Sequence, residues 1–261
     1  MEENTTSSPG PEENMLPDNE AISKTDALIG VITEPSATYQ DIARTEGKNY
    51  WILPILISVA IGLITSFIFM SNNELKSSVM DKQRQKMENQ MNEKVSKGEM
   101  SAADKDKAIE QSSKFMDPNG MFFKLIGYGG ALVGPFLLLF IPSIFYLIGL
   151  KIFKADFVFS NVLNVVGLAY IIYAVGTLIG MVLSVVMGNM VTAGLSLVLK
   201  EDMVGPKLFQ VVSKLDLFSI WEHIVITIGL SKIGKIEMMK SGIIVFGIWI
   251  VWILLSSVVF G

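Results

Sequence analysis

Cysteine is absent from the 261 residues, which excludes disulfides, thiolate metal sites and cysteine nucleophiles. A single histidine, His223, cannot build a zinc site alone, because such sites need three or four N, S or O ligands. No Gly-x-Ser-x-Gly elbow occurs, so a serine hydrolase has nothing to start from, and no basic tract points to nucleic acid. Charge is scarce as well, at 18% against 51% hydrophobic residues, and it lies outside the long apolar runs. These shortages leave no basis for an enzyme, a bound cofactor or a metal centre.

The longest apolar runs set the fold class. Leu125–Leu150 carries no charge, and its 26 residues make about 39 Å of helix, more than the ~30 Å hydrocarbon core needs. Gly130 and Gly134 stand four apart on one face, and Pro135 and Pro142 each remove a backbone donor. This span is therefore expected to bend and to form the packing centre of a bundle. Phe157–Leu199 is uncharged for 43 residues. A span fits at 161–187, with Gly176 and Gly180 as a second close-packing pair, and Gly188-Asn189 breaks it. The remainder, Met190–Leu199, is too short to cross and is expected to be re-entrant or interfacial. A first span is expected at 50–70, with Ser58 and Gly62 as a small-residue face, and a last one at 241–260. For a fourth, the uncharged run Ile224–Ser231 is short. A helix starting near Lys207 would give it enough length. The fold class is all-α: a polytopic membrane bundle of about five helices.

Outside the spans, residues 1–24 are acidic, rich in Pro and Ser and poor in large apolar groups, the composition of a disordered tail. They have neither the basic start nor the apolar core of a signal peptide, so the tail is expected to be retained. From residue 25 to 48, Leu28, Ile29, Val31 and Ile32 precede Pro35, and Tyr39, Ile42 and Ala43 share a helical face. That pattern suits an amphipathic segment lying in the interface. The polar insert 71–124 carries ten basic and nine acidic residues and predicts a helical hairpin. One helix should run from about Glu74 to Lys97, with Met80, Met87, Met91 and Val95 as a stripe. Gly98 should end it, and Ser101 and Asp104 should cap a second helix reaching Phe115. The insert or the acidic tail would be where a protein partner binds; membrane lipids surround the rest.

The polar candidates inside the bundle are few. Tyr128, Tyr146, Tyr170, Tyr173, Asn161 and Asn164 are expected to anchor at interfaces or bond between helices. Asp216, Phe218 and Trp221, at the start of the fourth span, form a candidate contact site; in the alternative reading Asp216 only caps the helix and Trp221 only anchors at the interface. Glu222 and His223 form a candidate pH-sensitive pair, because histidine changes charge near pH 6.5.

At Leu215-Asp-Leu-Phe-Ser-Ile-Trp221, followed by Ile228-Gly-Leu230 and a lysine-containing turn, the chain resembles the Yip family of integral membrane proteins, named for interacting with Rab-type GTPases. The proline-led segment Glu34–Tyr39, the five spans and the Gly/Pro-rich second span belong to the same pattern, over about 25–260. The insert 71–124 is similar to that of bacterial members, and Glu222-His223 stands where a small polar residue is expected. The resemblance implies a bacterial inner-membrane protein with a cytoplasmic N-terminus and an external C-terminus. Lys and Arg number eight on that inner side and thirteen on the other, ten of them in the insert. The expected role is a non-enzymatic scaffold or adaptor that binds protein partners or organises the bilayer. A permease or channel for a small solute is the alternative.

Overall fold

The computed structural model describes residues 21–44, 47–115, 117–118, 120–155, 157–199 and 201–259; the acidic tail up to residue 20 lies outside them. Every named element among the described residues is helical. Five helices are long and apolar enough to cross a membrane: α3 (Ile52–Ser71), α6 (Met121–Ile152), α7 (Phe159–Met187), α10 (Leu217–Gly234) and α11 (Met238–Val259). They alternate in direction, so the bundle has two ends. One carries α1 (Lys24–Thr33), α2 (Pro35–Ala43) and the turns 153–158 and 235–237. The other carries α4 (Asn73–Ser96), α5 (Ala102–Phe115), the segment 188–199, α8 (Glu201–Val204) and α9 (Pro206–Val212).

The packing centre is α7, not α6 as the glycine and proline pattern suggested. In α7, 61% of the membrane-length window is buried, against 22% in α6. Val162, Leu163, Val165, Val166, Leu168, Ala169, Ile171 and Ile172 are all covered, by α3 on one side and α10 on the other. Helix α6 turns Leu137, Leu138, Ile141, Ile144, Phe145 and Ile148 outward. Gly130 and Gly134 do not mediate close packing either: a Cβ at either would meet nothing within 4 Å. The close approach to α3 is at Gly62, where a Cβ would lie 3.4 Å from the Ala131 carbonyl. Pro135, four residues on, has no N–H to offer that carbonyl, so the proline frees an acceptor where the glycine lets a neighbour reach it. Pro142 likewise lies inside the helix, and the Ser143 hydroxyl donates to Leu139 O at 2.6 Å.

The segment before the first span packs one face against the bundle. Ala27, Val31, Tyr39 and Ile42 are covered by α7 and α10 while Ile29, Ile32 and Ala43 face outward. Ser23 caps α1, accepting from Asp26 N at 3.1 Å, and Pro35 opens α2 where its missing donor costs nothing. Together α1 and α2 close one end of the bundle.

Helix α9 stops at Val212 and does not run into the fourth span. Asp216 has extended backbone (φ −101°, ψ 158°), and its carboxylate accepts the Ser219 N–H at 2.9 Å and the Ser219 hydroxyl. The cap breaks the helical ladder, so α10 is 18 residues, about 27 Å, from Leu217. Residues 190–199 fold back against α7 and the start of α10. After Gly188, in the left-handed region at φ +67°, Val191 N–H donates to Ser184 Oγ at 3.0 Å, a short 3-10 turn follows at Leu195–Leu197, and Gly194 pairs with Asp216 in a single antiparallel bridge. A Cβ at Gly194 would come within 2.6 Å of Asp216 Cα, so this loop lies against the start of α10.

The polar insert folds as two capped helices. Asn72 accepts from Leu75 N at 2.9 Å, Gly98 ends α4 at φ +74°, and Ser101 accepts from Asp104 N at 3.1 Å. Met80, Met87, Met91 and Val95 are half-buried, and Lys105 Nζ donates to Asn92 Oδ1 at 2.7 Å across the hairpin. Its base is fixed by Leu75 and Lys76, which are buried, and by Glu74 against Gly188.

Candidate functional site at the start of the fourth span

Helix α10 distributes its first residues among different neighbours. Phe218 sits on Gly176 of α7, where a Cβ would fall 2.5 Å from the Phe218 Cβ, so that glycine is a true helix-to-helix contact. Gly180, one turn further on, faces the Val191 carbonyl at 3.4 Å. Asp216 is the N-cap, and Trp221 is half-buried against the core.

Glu222 and His223 are adjacent in sequence but about 100° apart around the helix, and the structure gives them different partners. His223 Nδ1 lies 2.7 Å from Ser219 O, and its ring stacks on Trp249 of α11 at 4.5 Å between centroids. Glu222 turns into the bundle and is 7% exposed. It lies within electrostatic reach of Tyr39, Tyr146, Tyr170, Tyr173 and Asp216. No ion pair joins Glu222 to His223 among the described residues, so they do not act as a contacting pair. An ionisable residue buried inside a membrane bundle is costly.

The tyrosines around it were legible in the sequence as polar residues, not as a cluster. Tyr170 and Tyr173 occupy the middle of α7 instead of an interface, and their rings stack at 5.5 Å. They also line a cavity of 220 Å³ between α3, α6 and α7, together with Ser58, Thr65, Gly130 and Gly134. Asn164 acts between helices, and its amide holds the backbone that leads into α3. Tyr128 and Asn161 are half-buried.

Tyr39 is the member of the cluster that comes from outside the spans. Its hydroxyl donates to Val165 O at 3.0 Å, and its ring touches Gly229, where a Cβ would fall 2.8 Å from it. Burial, with the Glu222 carboxylate as a second cause, pushes the Tyr39 phenol well above its ordinary value of 10.0. The docked arm therefore favours the neutral phenol. Its contribution to stability is fully present below pH 10 and declines as the pH rises through and beyond that value. In an ultraviolet titration compared with Tyr39→Phe, the Tyr39 phenolate should appear above pH 10, together with release of α1 and α2 to protease. A phenolate formed at pH 10 with the arm still protected would contradict this.

Comparison with known proteins agrees with this architecture. The Yip1 domain model matches residues 29–260. The chain is 25% identical over 239 residues to "Membrane protein YknW" of Bacillus subtilis (strain 168), covering 89% of this chain and 90% of that protein. No solved structure matches the chain significantly. With its five spans in order and the family model reaching from α1 to the last span, the chain belongs to the Yip1 domain family of integral membrane proteins.

Proposed function

We propose that this protein is a non-enzymatic scaffold of a bacterial inner membrane, with α4 and α5 as the arm that docks a protein partner. One observation carries this reading. The hairpin is joined across by Lys105–Asn92, and it is tied to the bundle at its base through Glu74, Leu75 and Lys76. An arm built this way exposes both helices' outer faces, with Asp81–Arg84 and Glu93–Lys97 pairs along one of them. Ordering 24 and 14 helical residues outside the bilayer costs entropy that the bundle does not need for its own packing. A docked partner would account for that cost.

Photo-crosslinking residues at the exposed positions Gln83, Gln90 and Gln111 should each trap the same single protein in cells. A spread of unrelated adducts, different at each position, would overturn the adaptor reading. A permease has one observation in its favour, the cavity that reaches the middle of α7.

A further inference from the structure

Helices α3, α6 and α7 do not fill the space between them. The 220 Å³ cavity they enclose lies at the depth of Tyr170 and Tyr173 and is far larger than the ~15 Å³ that one water requires. On its α6 side Gly130 and Gly134 present bare backbone, and a Cβ at either would meet nothing within 4 Å. No charged side chain lines it. Most of its hydroxyls are committed to backbone carbonyls: Ser58 Oγ donates to Pro54 O at 2.8 Å, Thr65 Oγ1 to Gly62 O at 3.0 Å, Ser66 Oγ to Gly127 O at 3.4 Å and Thr177 Oγ1 to Tyr173 O at 3.0 Å. Tyr170 is different. It is 6% exposed, yet among the described residues its hydroxyl has no hydrogen-bond partner. Every fully shut-off polar side-chain atom among those residues has one, so this hydroxyl borders open space, and the space that Tyr170 lines is the cavity.

The approach to it from the hairpin end is apolar. A second cavity of 350 Å³ at the hairpin base, walled by Phe69, Val79, Phe123 and Met190, shares Thr65 and Ser66 with the deeper one. Along α3 the two together form a cleft from Met70 to Ser58, about 18 Å of helix, which reaches past the middle of a ~30 Å hydrocarbon core. The uncommitted phenol therefore sits at the deep end of a path lined by hydrocarbon and thioether.

We propose that this cleft binds a neutral lipid carrying a carbonyl, a long-chain ketone or ester drawn from the bilayer, with its oxygen on the Tyr170 hydroxyl and its chain laid toward the hairpin base. A phenol buried without a partner is a donor that lacks an acceptor, and leaving it so costs free energy. A carbonyl supplies the acceptor and brings no donor that would need burying in turn. A phosphate or a free carboxylate is disfavoured at this depth, since nothing in the lining is cationic. The bare backbone at Gly130 and Gly134 leaves width for a chain, and Phe69, Met70, Phe123 and Met190 give it an apolar, adaptable bed. The site stands apart from the hairpin's outer faces, and a partner-free protein should bind the lipid equally well.

The test is NMR of methyl palmitate, isotope-labelled at its carbonyl carbon, titrated into the full-length protein in dodecyl maltoside micelles, which hold no carbonyl of their own. In the native protein a second carbonyl signal, moved downfield by the hydrogen bond, should grow to saturation. Tyr170→Phe keeps the ring and removes the donor, so it should lose the downfield shift and weaken binding about tenfold. Gly134→Leu, whose side chain enters open space, should abolish the bound signal without lowering the melting temperature. Hexadecane, which has the chain and no acceptor, should displace the ester only at about tenfold higher concentration, and hexadecylphosphocholine should not displace it. If Gly134→Leu fails to fold, Tyr170→Phe and the competitors decide alone. No saturable signal in the native protein, a downfield signal that survives in Tyr170→Phe, a folded Gly134→Leu protein that still binds, or displacement by hexadecane as readily as by unlabelled ester would each overturn the proposal, as would displacement by hexadecylphosphocholine.

Discussion

Replacing Asn164 with leucine is expected to destabilise the membrane domain by about 3 kcal/mol, the cost of stranding several buried backbone groups. Asn164 is 5% exposed, and its side chain does three things at once. Its Oδ1 accepts from Tyr50 N at 2.8 Å and Trp51 N at 3.3 Å, and its Nδ2 donates to Lys48 O at 2.9 Å. The two N–H groups belong to the start of α3, where a helix has no carbonyls of its own to offer them. Leucine matches the size and removes every partner, so the loss is polar and is not a packing defect. The join is tight one turn further along α7, where a Cβ on Gly167 would fall 2.5 Å from Trp51 Cβ, which leaves the backbone no room to shift and recover water. Equilibrium unfolding in mixed micelles should show the difference. Asn164→Asp retains both acceptor bonds and should fall between the two. A loss below about 0.5 kcal/mol for the leucine variant would show that the surrounding backbone finds other partners.

Asn164 also shows what the sequence could and could not convey. The spans are legible because a charge-free run has one solution in a bilayer, and the hairpin is legible because Ser101 and Gly98 cap and end helices by local chemistry. The order of packing is not local. Helices α6 and α7 are both apolar throughout, and lipid tails are as apolar as leucine, so hydropathy cannot tell a lipid face from a buried one. The distinguishing signal lies in the minority residues. Helix α7 places Asn164, Gly167, Tyr170, Tyr173 and Ser184 against neighbours, while α6 devotes the corresponding length to large aliphatic residues facing outward. Glycine spacing misled at Gly130 and Gly134 and succeeded at Gly176, because small-xxx-small permits close approach without requiring it. The break before α10 was written in Asp216, whose capping preference outweighs the helical composition of the segment from Lys207. Glu222 and His223 look like a pair in one dimension and separate once the helix turns.

The cysteine-free chain makes its orientation directly measurable, and the hairpin decides how its lysines should be weighed. Eight basic residues lie on the α1–α2 side and thirteen on the hairpin side. Seven of the thirteen, Lys82, Arg84, Lys86, Lys94, Lys97, Lys105 and Lys107, lie beyond Val79, the last α4 residue in the cleft wall. Lys82 is already about 14 Å along α4 from Asn73, more than the ~8 Å Debye length, so these charges barely feel the membrane surface. Removing them leaves six against eight, and the positive-inside tendency then favours α1 and α2 in the cytoplasm with the hairpin outside. Single cysteines at Ser36, Ser101, Ser160 and Glu237 sample both ends of the bundle at exposed positions. Glu237 serves the last turn better than Ser231, whose hydroxyl is bonded to Ile236 O at 2.8 Å. With an impermeant thiol reagent on intact cells, Ser101→Cys should label fully and Ser36→Cys, Ser160→Cys and Glu237→Cys should not, all four reacting after lysis. Labelling of the other three with silence at Ser101→Cys would invert the protein and turn the hairpin into a cytoplasmic arm. Labelling at Ser101→Cys and Glu237→Cys together would instead remove the fourth span.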